Sequence, residues 1–231
     1  MVSMENLTSI EFLDRIKSQK EITRVYMQYS DMSGHEIKNV VIKDSKFFFV
    51  VFRHCSLKNV TFENCEFFFC AFGYTDSEKL VFKKCKMEYS GFTEAKLKDS
   101  KFIDTSLSWH SFIDTAPGFE LQNYSEFKVF RSMDELTPSL AEKAMEDLQP
   151  ILSIMDMDMR QRVMLLLESI KSKVMPDFNL SVSKKPGSYE TGKKNYSIFD
   201  SLIDSAVAAY GTKPAYKTGK SAYEAKSEYK K

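Results

Sequence analysis

From Ile37 to Phe112 a large apolar residue returns at every fifth position. The series runs Ile37, Ile42, Phe47, Phe52, Leu57, Phe62, Phe67 and Phe72, then Phe82, Met87, Phe92, Leu97, Phe102, Leu107 and Phe112. Only Ser77 interrupts it, so fifteen of sixteen positions obey the rule in a chain that is 43% hydrophobic. Chance does not produce that regularity. A period of five fits neither the helix, at 3.6, nor the flat strand, at 2. It fits a chain that turns a corner every five residues and closes a square coil every twenty.

Two residues before each large centre runs a second series, mostly small or β-branched: Val40, Ser45, Val50, Cys55, Val60, Cys65, Cys70 and their continuation. Both series point inward and the other three residues of each five point out. The pattern resembles the pentapeptide-repeat family, over about Ile37 to Phe112. The usual Ala at the small site and Asp or Asn after it are mostly replaced here. The resemblance implies a mainly β fold, a right-handed quadrilateral β-helix of about four coils. Each coil alone cannot bury its inner residues, so coils stack at the strand spacing of roughly 4.8 Å. Ser77 is expected to mark a local bulge or turn.

The chain divides into four expected parts. Residues 1–34 form an N-terminal cap: Thr8 and Glu11 fit a capping box ahead of Ile10, Phe12, Leu13 and Ile16, and a strand starts at Ile22. Residues 35–115 form the β-helix, which Ala116-Pro117-Gly118 stops. Residues 116–175 hold a linker and an α-helical hairpin, read from Leu140, Ala144 and Leu148 and, after Pro150, from Ile151, Ile154, Met155, Val163, Leu166, Leu167, Ile170 and Val174. Residues 176–231 are a Lys-, Ser- and Tyr-rich tail with one amphipathic island at 197–210, where Phe199, Leu202 and Tyr210 face a docking surface.

The triplets Phe47-Phe48-Phe49 and Phe67-Phe68-Phe69 identify the candidate site. Phe47 and Phe67 are inward centres, so Phe48, Phe49, Phe68 and Phe69 face out on one side, and Tyr89 and Trp109 continue that column. A contiguous aromatic stripe needs a cover. The chain's own C-terminal helices are the first expectation, a partner or a second copy the alternative.

No chemistry of catalysis appears. The chain has three histidines, none spaced for metal ligation with a Cys or carboxylate, and no glycine-rich phosphate loop, G-x-S-x-G or H-E-x-x-H. The four cysteines read as small core hydrophobes in a reducing compartment, with no metal and no cofactor expected. The reading is therefore a non-enzymatic interaction scaffold or assembly component (a virion component is one version), cytoplasmic and homo-oligomeric through the C-terminal helices, with no membrane or small-molecule partner. Two alternatives stand beside it. Some family members mimic DNA toward a type II topoisomerase, which requires a long acidic rod. Residues 35–114 carry twelve basic and eleven acidic side chains, so that field is missing. The last stretch, from Gly211, has six lysines against two glutamates interleaved with tyrosines, which suits nucleic-acid contact.

Overall fold

The computed structural model describes residues 3–131 together with Glu135, Lys143, Glu146 and Asp147. Its backbone turns at a left-handed residue every fifth position, from Arg24 (φ 57) through Gly34 (φ 76) to Asp114 (φ 52). Asn39, Asp44, Asn59, Asn64, Asp99 and Asp104 hold several of these corners, because their short polar side chains tolerate that conformation. Corners twenty residues apart join through their side chains: the Asn59 amide donates to Asn39 at 3.1 Å and the Asn64 amide to Asp44 at 2.6 Å.

Between corners the chain pairs in parallel with itself one coil away. Phe47, Phe67, Met87 and Leu107 lie in register, as do Ile42, Phe62, Phe82 and Phe102. The large centres are buried and stack. Phe52, Phe72, Phe92 and Phe112 form one column with successive centroids 4.7, 4.7 and 5.9 Å apart. The result is a quadrilateral β-solenoid filled by phenylalanine.

The small inward positions do a second job. Thr105 donates its hydroxyl to the Phe82 carbonyl, 23 residues back, at 3.1 Å, and to the Ile103 carbonyl. Cys65 and Cys85 place their thiols on the equivalent carbonyls, Ile42 and Phe62, at 3.4 and 3.3 Å. Ser, Thr and Cys thus interchange at these sites because each is small and carries one donor.

Three expectations need correcting. The solenoid has about six coils rather than four, with a seven-stranded sheet on one side. The strand expected at Ile22 is already coil: Glu21–Thr23 pairs with Val41, Ile42 and Lys43, and a corner at Arg24 separates it from Val25–Asp31. The second correction concerns Ser77, which sits in register between Leu57 and Leu97 without bulge or turn. It is buried and its hydroxyl has no hydrogen-bond partner. Third, Ala116-Pro117-Gly118 does not stop the repeat. Lys101 pairs with Val81 twenty residues back but with Glu120 nineteen ahead, so one residue is missing from the coil, and Phe119–Gln122 and Ser125–Phe130 add two more strands. Gly118 (φ 127) takes up the shortened turn in a conformation open to glycine.

The two ends are finished differently. At the first, helix Ser9–Ser18 begins at the Thr8–Glu11 capping box and lays Phe12 on Phe47, ring centroids 6.1 Å apart. At the other, Glu126 pairs in register with the inward Leu107 and binds Arg131 at 2.9 Å. A charge at a core position of the last coil discourages further strand addition. The helical hairpin beyond Arg131 and the island at 197–210, with Phe199, Leu202 and Tyr210, lie outside the described residues apart from the four named above. No helix among the described residues is long and apolar enough to cross a membrane.

Candidate interaction surface

Phe49, Phe69, Tyr89 and Trp109 occupy left-handed corners, with φ between 50 and 52. That places them on the outside of the coil, apart from the central core cluster. They stack one above another: centroids are 4.7 Å apart for Phe49 and Phe69, 4.9 Å for Phe69 and Tyr89, and 6.0 Å for Tyr89 and Trp109. Tyr29 extends the stack, 5.5 Å from Phe49. Phe48 and Phe68 form a parallel pair at 5.4 Å beside it, each edge-on to its neighbouring ladder ring.

This outward ladder is buried. Phe49 and Phe69 are 0% exposed, Trp109 2% and Tyr89 3%, while Phe48 and Phe68 are half-buried. The adjoining outward positions Val51, Ala71, Gly91 and Ser111 are buried too, as are Arg53, Gly73, Thr93 and Ile113. Gly91 is required by close approach: a Cβ there would stand 2.9 Å from that of Ser111 on the next coil. The opposite sides are wet and laced with pairs between coils, among them Lys83–Glu63 at 2.9 Å and Lys98–Glu78 at 3.2 Å. Such exposed pairs contribute little and mainly match one coil to the next.

Trp109 ties the ladder to a residue beyond Arg131. Its indole N–H donates to Asp147 Oδ2 at 3.1 Å. Asp147 also pairs with Lys143 at 3.0 Å, one helical turn earlier. Burial, with the nearby Asp147 carboxylate adding to it, pushes the Tyr89 phenol above its ordinary range.

The six aromatic positions named from the sequence come together on one side. Sequence reasoning missed Tyr29 and Arg53. The signal for Tyr29 was present, since it lies twenty residues before Phe49. Arg53 gave none, because an outward arginine is usually solvated.

The cysteines and histidines make no reactive cluster. Burial pushes Cys55 and Cys70 up to about 12, and a hydrogen bond from the Cys65 thiol to Cys85, together with burial, raises Cys65. His110 is enclosed between Phe92 and Phe112 and neither ring nitrogen has a partner. No group of three or more metal-ligating side chains occurs among the described residues.

A corner every five residues, inward centres and coils of twenty make this a quadrilateral β-solenoid, the architecture that the sequence resemblance implies. The family model described as the SV2A/B/C luminal domain matches residues 17–112, which is less than half of the chain. No curated protein matches. Among solved structures, HetL, a pentapeptide repeat protein involved in heterocyst differentiation regulation from the cyanobacterium Nostoc sp. strain PCC 7120, superposes with a TM-score of 0.44 at 9% identity, over 47% of this chain and 46% of HetL. The match thus spans less than half the length of HetL. Rfr23, a pentapeptide repeat protein from the cyanobacterium Cyanothece 51142, gives a TM-score of 0.36 at 8% identity, covering 53% of this chain and 99% of Rfr23. Full-length QnrB1, a plasmid-mediated fluoroquinolone resistance protein, gives 0.29 at 10%, covering 63% and 95%.

Proposed function

We propose that the chain is a non-enzymatic protein-interaction scaffold. The solenoid is a rigid platform whose aromatic side seats a protein segment, and the chain recruits a partner protein or a second copy of itself through what is seated there. One observation carries this reading: an aromatic ladder stands on outward, left-handed corners and is nonetheless buried. Bulky residues are unfavourable at such corners. Asn, Asp or Gly would serve a bare corner better, so the aromatics are there for what they touch. Solenoids act through extended surfaces of this kind. Assembly through the C-terminal helices, in a cytoplasmic setting, fits the same picture.

The test is Phe49→Glu combined with Phe69→Glu. Size-exclusion chromatography with light scattering reports assembly, and a pull-down from the native source reports partners. The double variant should remain a folded, soluble β-solenoid by circular dichroism and lose both. A variant that assembles and captures partners as the wild type does would refute the scaffold reading of this face.

A further inference from the structure

On one side of the rod a strand is missing. The inward centres of that side are Ile37, Leu57, Ser77 and Leu97, and the residue before each later centre donates its backbone N–H to the coil behind. Ser56 reaches His35, Asp76 reaches Cys55 and Lys96 reaches Thr75, at 3.0, 3.0 and 2.9 Å. Glu36 stands at the same place on the first of these coils, and Lys38, two residues on, faces the same way. Behind them the chain is helix Ser9–Ser18 instead of strand. The strand Glu36–Lys43 is paired on that edge only at Val41, Ile42 and Lys43, by Glu21–Thr23. No strand among the described residues lies behind Glu36, Ile37 and Lys38, so the sheet is open there. An open edge is a template for another strand.

The opening is a cleft of about 560 Å³ whose walls include Ile16, Lys17, Gln19, Lys20, Glu36 and Lys38. It ends where Lys20 accepts the Val41 N–H at 2.9 Å, which leaves room for about three paired residues, roughly 10 Å. Ile16, half-buried against the core, gives it an apolar wall. The rest is basic. Lys17 and Lys38 hold Asp14 and Glu36 at 3.0 and 2.8 Å in exposed pairs, and Lys20 makes no ion pair among the described residues. The hydrogen bond from Lys38 lowers the Glu36 carboxyl, and Lys58, one coil on, adds its field. Four lysines thus stand around the gap against two carboxylates, Asp14 and Glu36.

We propose that this gap is a docking site for an extended, acidic peptide segment of a partner protein, which adds as a strand beside residues 36–38 with its carboxylates among Lys17, Lys20 and Lys38. Backbone pairing supplies the affinity and the lysines select acid. The chain's own end is a poor occupant, since from Gly211 it carries six lysines against two glutamates. A second copy joined edge to edge would set these lysines against themselves. The site stands apart from the aromatic side, and neither reading rests on the other.

The probe is a fluorescein-labelled Glu-Val-Glu-Val-Glu peptide, titrated with the full chain by fluorescence anisotropy. It should bind saturably, more weakly as salt rises, and about tenfold more weakly to the Lys17→Glu, Lys20→Glu variant. Both lysines are exposed, so that variant should melt as the wild type does. Should it fail to fold, Lys17→Gln with Lys20→Gln removes the charges without reversing them and should still weaken binding about threefold. The same peptide methylated on every backbone nitrogen should bind at least about tenfold worse, because it cannot pair as a strand. Amide exchange followed by NMR should find the Glu36 and Lys38 N–H groups fast in the free chain and slowed by the probe. No saturable binding overturns the site. Equal binding of the methylated peptide overturns strand addition, since the lysines alone would then hold it. Slow exchange of both amides in the free chain at every concentration means that the gap is filled from within. Slowing that grows with protein concentration alone means a second copy; either result overturns the partner peptide.

Discussion

Phe49 and Phe69 stack 4.7 Å apart, 16° from parallel, while both backbones sit in the left-handed region at φ 52 and 50. For a residue with a Cβ that conformation costs about 1–2 kcal/mol. Burial of the ring contributes about 1.5–3 kcal/mol and each stacked pair about 0.5–1.5 kcal/mol more. The ladder is stable because it is covered; bare, its backbone cost would go uncompensated. The inward rings carry no such cost.

That difference predicts unequal penalties for two phenylalanines of one triplet. Phe67→Ala opens a cavity between fixed coils and should destabilise by about 3–5 kcal/mol. Phe69→Asn loses ring burial and two stacked pairs but relieves the corner, so it should cost about 1–2 kcal/mol less than Phe67→Ala. Lys58→Ala, on a wet side, should change stability by less than about 0.5 kcal/mol. Urea midpoints compare the three, and equal midpoints would contradict the inward and outward assignment.

Ser77 offers a gain. It takes the place of a leucine between Leu57 and Leu97, with its hydroxyl buried and unpaired. Ser77→Ala should raise stability by about 1 kcal/mol, because the orphaned group is removed without added volume. A lower thermal midpoint for the alanine variant would mean that the hydroxyl finds a partner in solution.

The solenoid was legible because its constraint is local and repeated. Every fifth residue must fill the interior, and Phe52, Phe72 and Phe92 say so independently. The ends were misjudged for physical reasons. Ile22, Met27 and Met32 continue the same series, but the helix before them and the strand-like run after Ile22 suggested a separate cap. Past Gly118 the loss of one residue shifted the count, so Phe119 and Leu121 no longer fell on the five-residue series although they pack on the core. The aromatic stripe could be read as outward. Its contact with Asp147 could not, since Trp109 and Asp147 are 38 residues apart and no period links them.

The thiols should be silent. All four cysteines are buried, and those at 55, 65, 70 and 85 direct their sulfurs at backbone carbonyls. Reactivity needs accessible thiolate, and burial pushes Cys55 and Cys70 up to about 12. Native protein at pH 8 should therefore leave an aromatic disulfide reagent unreduced, and denatured protein should react at all four positions. Rapid labelling of the folded chain at Cys65 or Cys85 would show that the coils open there.

His110 makes acid sensitivity a property of one residue. Burial holds its imidazole down to about 3 in the folded chain, against an ordinary value near 6.5. Between those limits the unfolded chain binds a proton that the folded chain refuses, so stability is full above about pH 6.5 and falls as pH drops, by about 1.4 kcal/mol per unit. The carboxylates complicate only the lower part of that range. Pairing with Lys83 lowers Glu63 and pairing with Lys98 lowers Glu78, so their contributions are lost as pH falls below the ordinary carboxylate range. Half-buried His35 is also lowered by burial and adds a slope of the same sign. His110→Ser isolates the buried histidine, because Ser90 already occupies the equivalent site one coil earlier. Urea titrations from pH 7 to pH 5 should give a flatter profile for the variant than for the wild type, by about 1.4 kcal/mol per unit, with the two diverging progressively toward acid. Parallel profiles would mean that His110 takes up its proton in the folded state, and that the enclosure between Phe92 and Phe112 admits a partner for it.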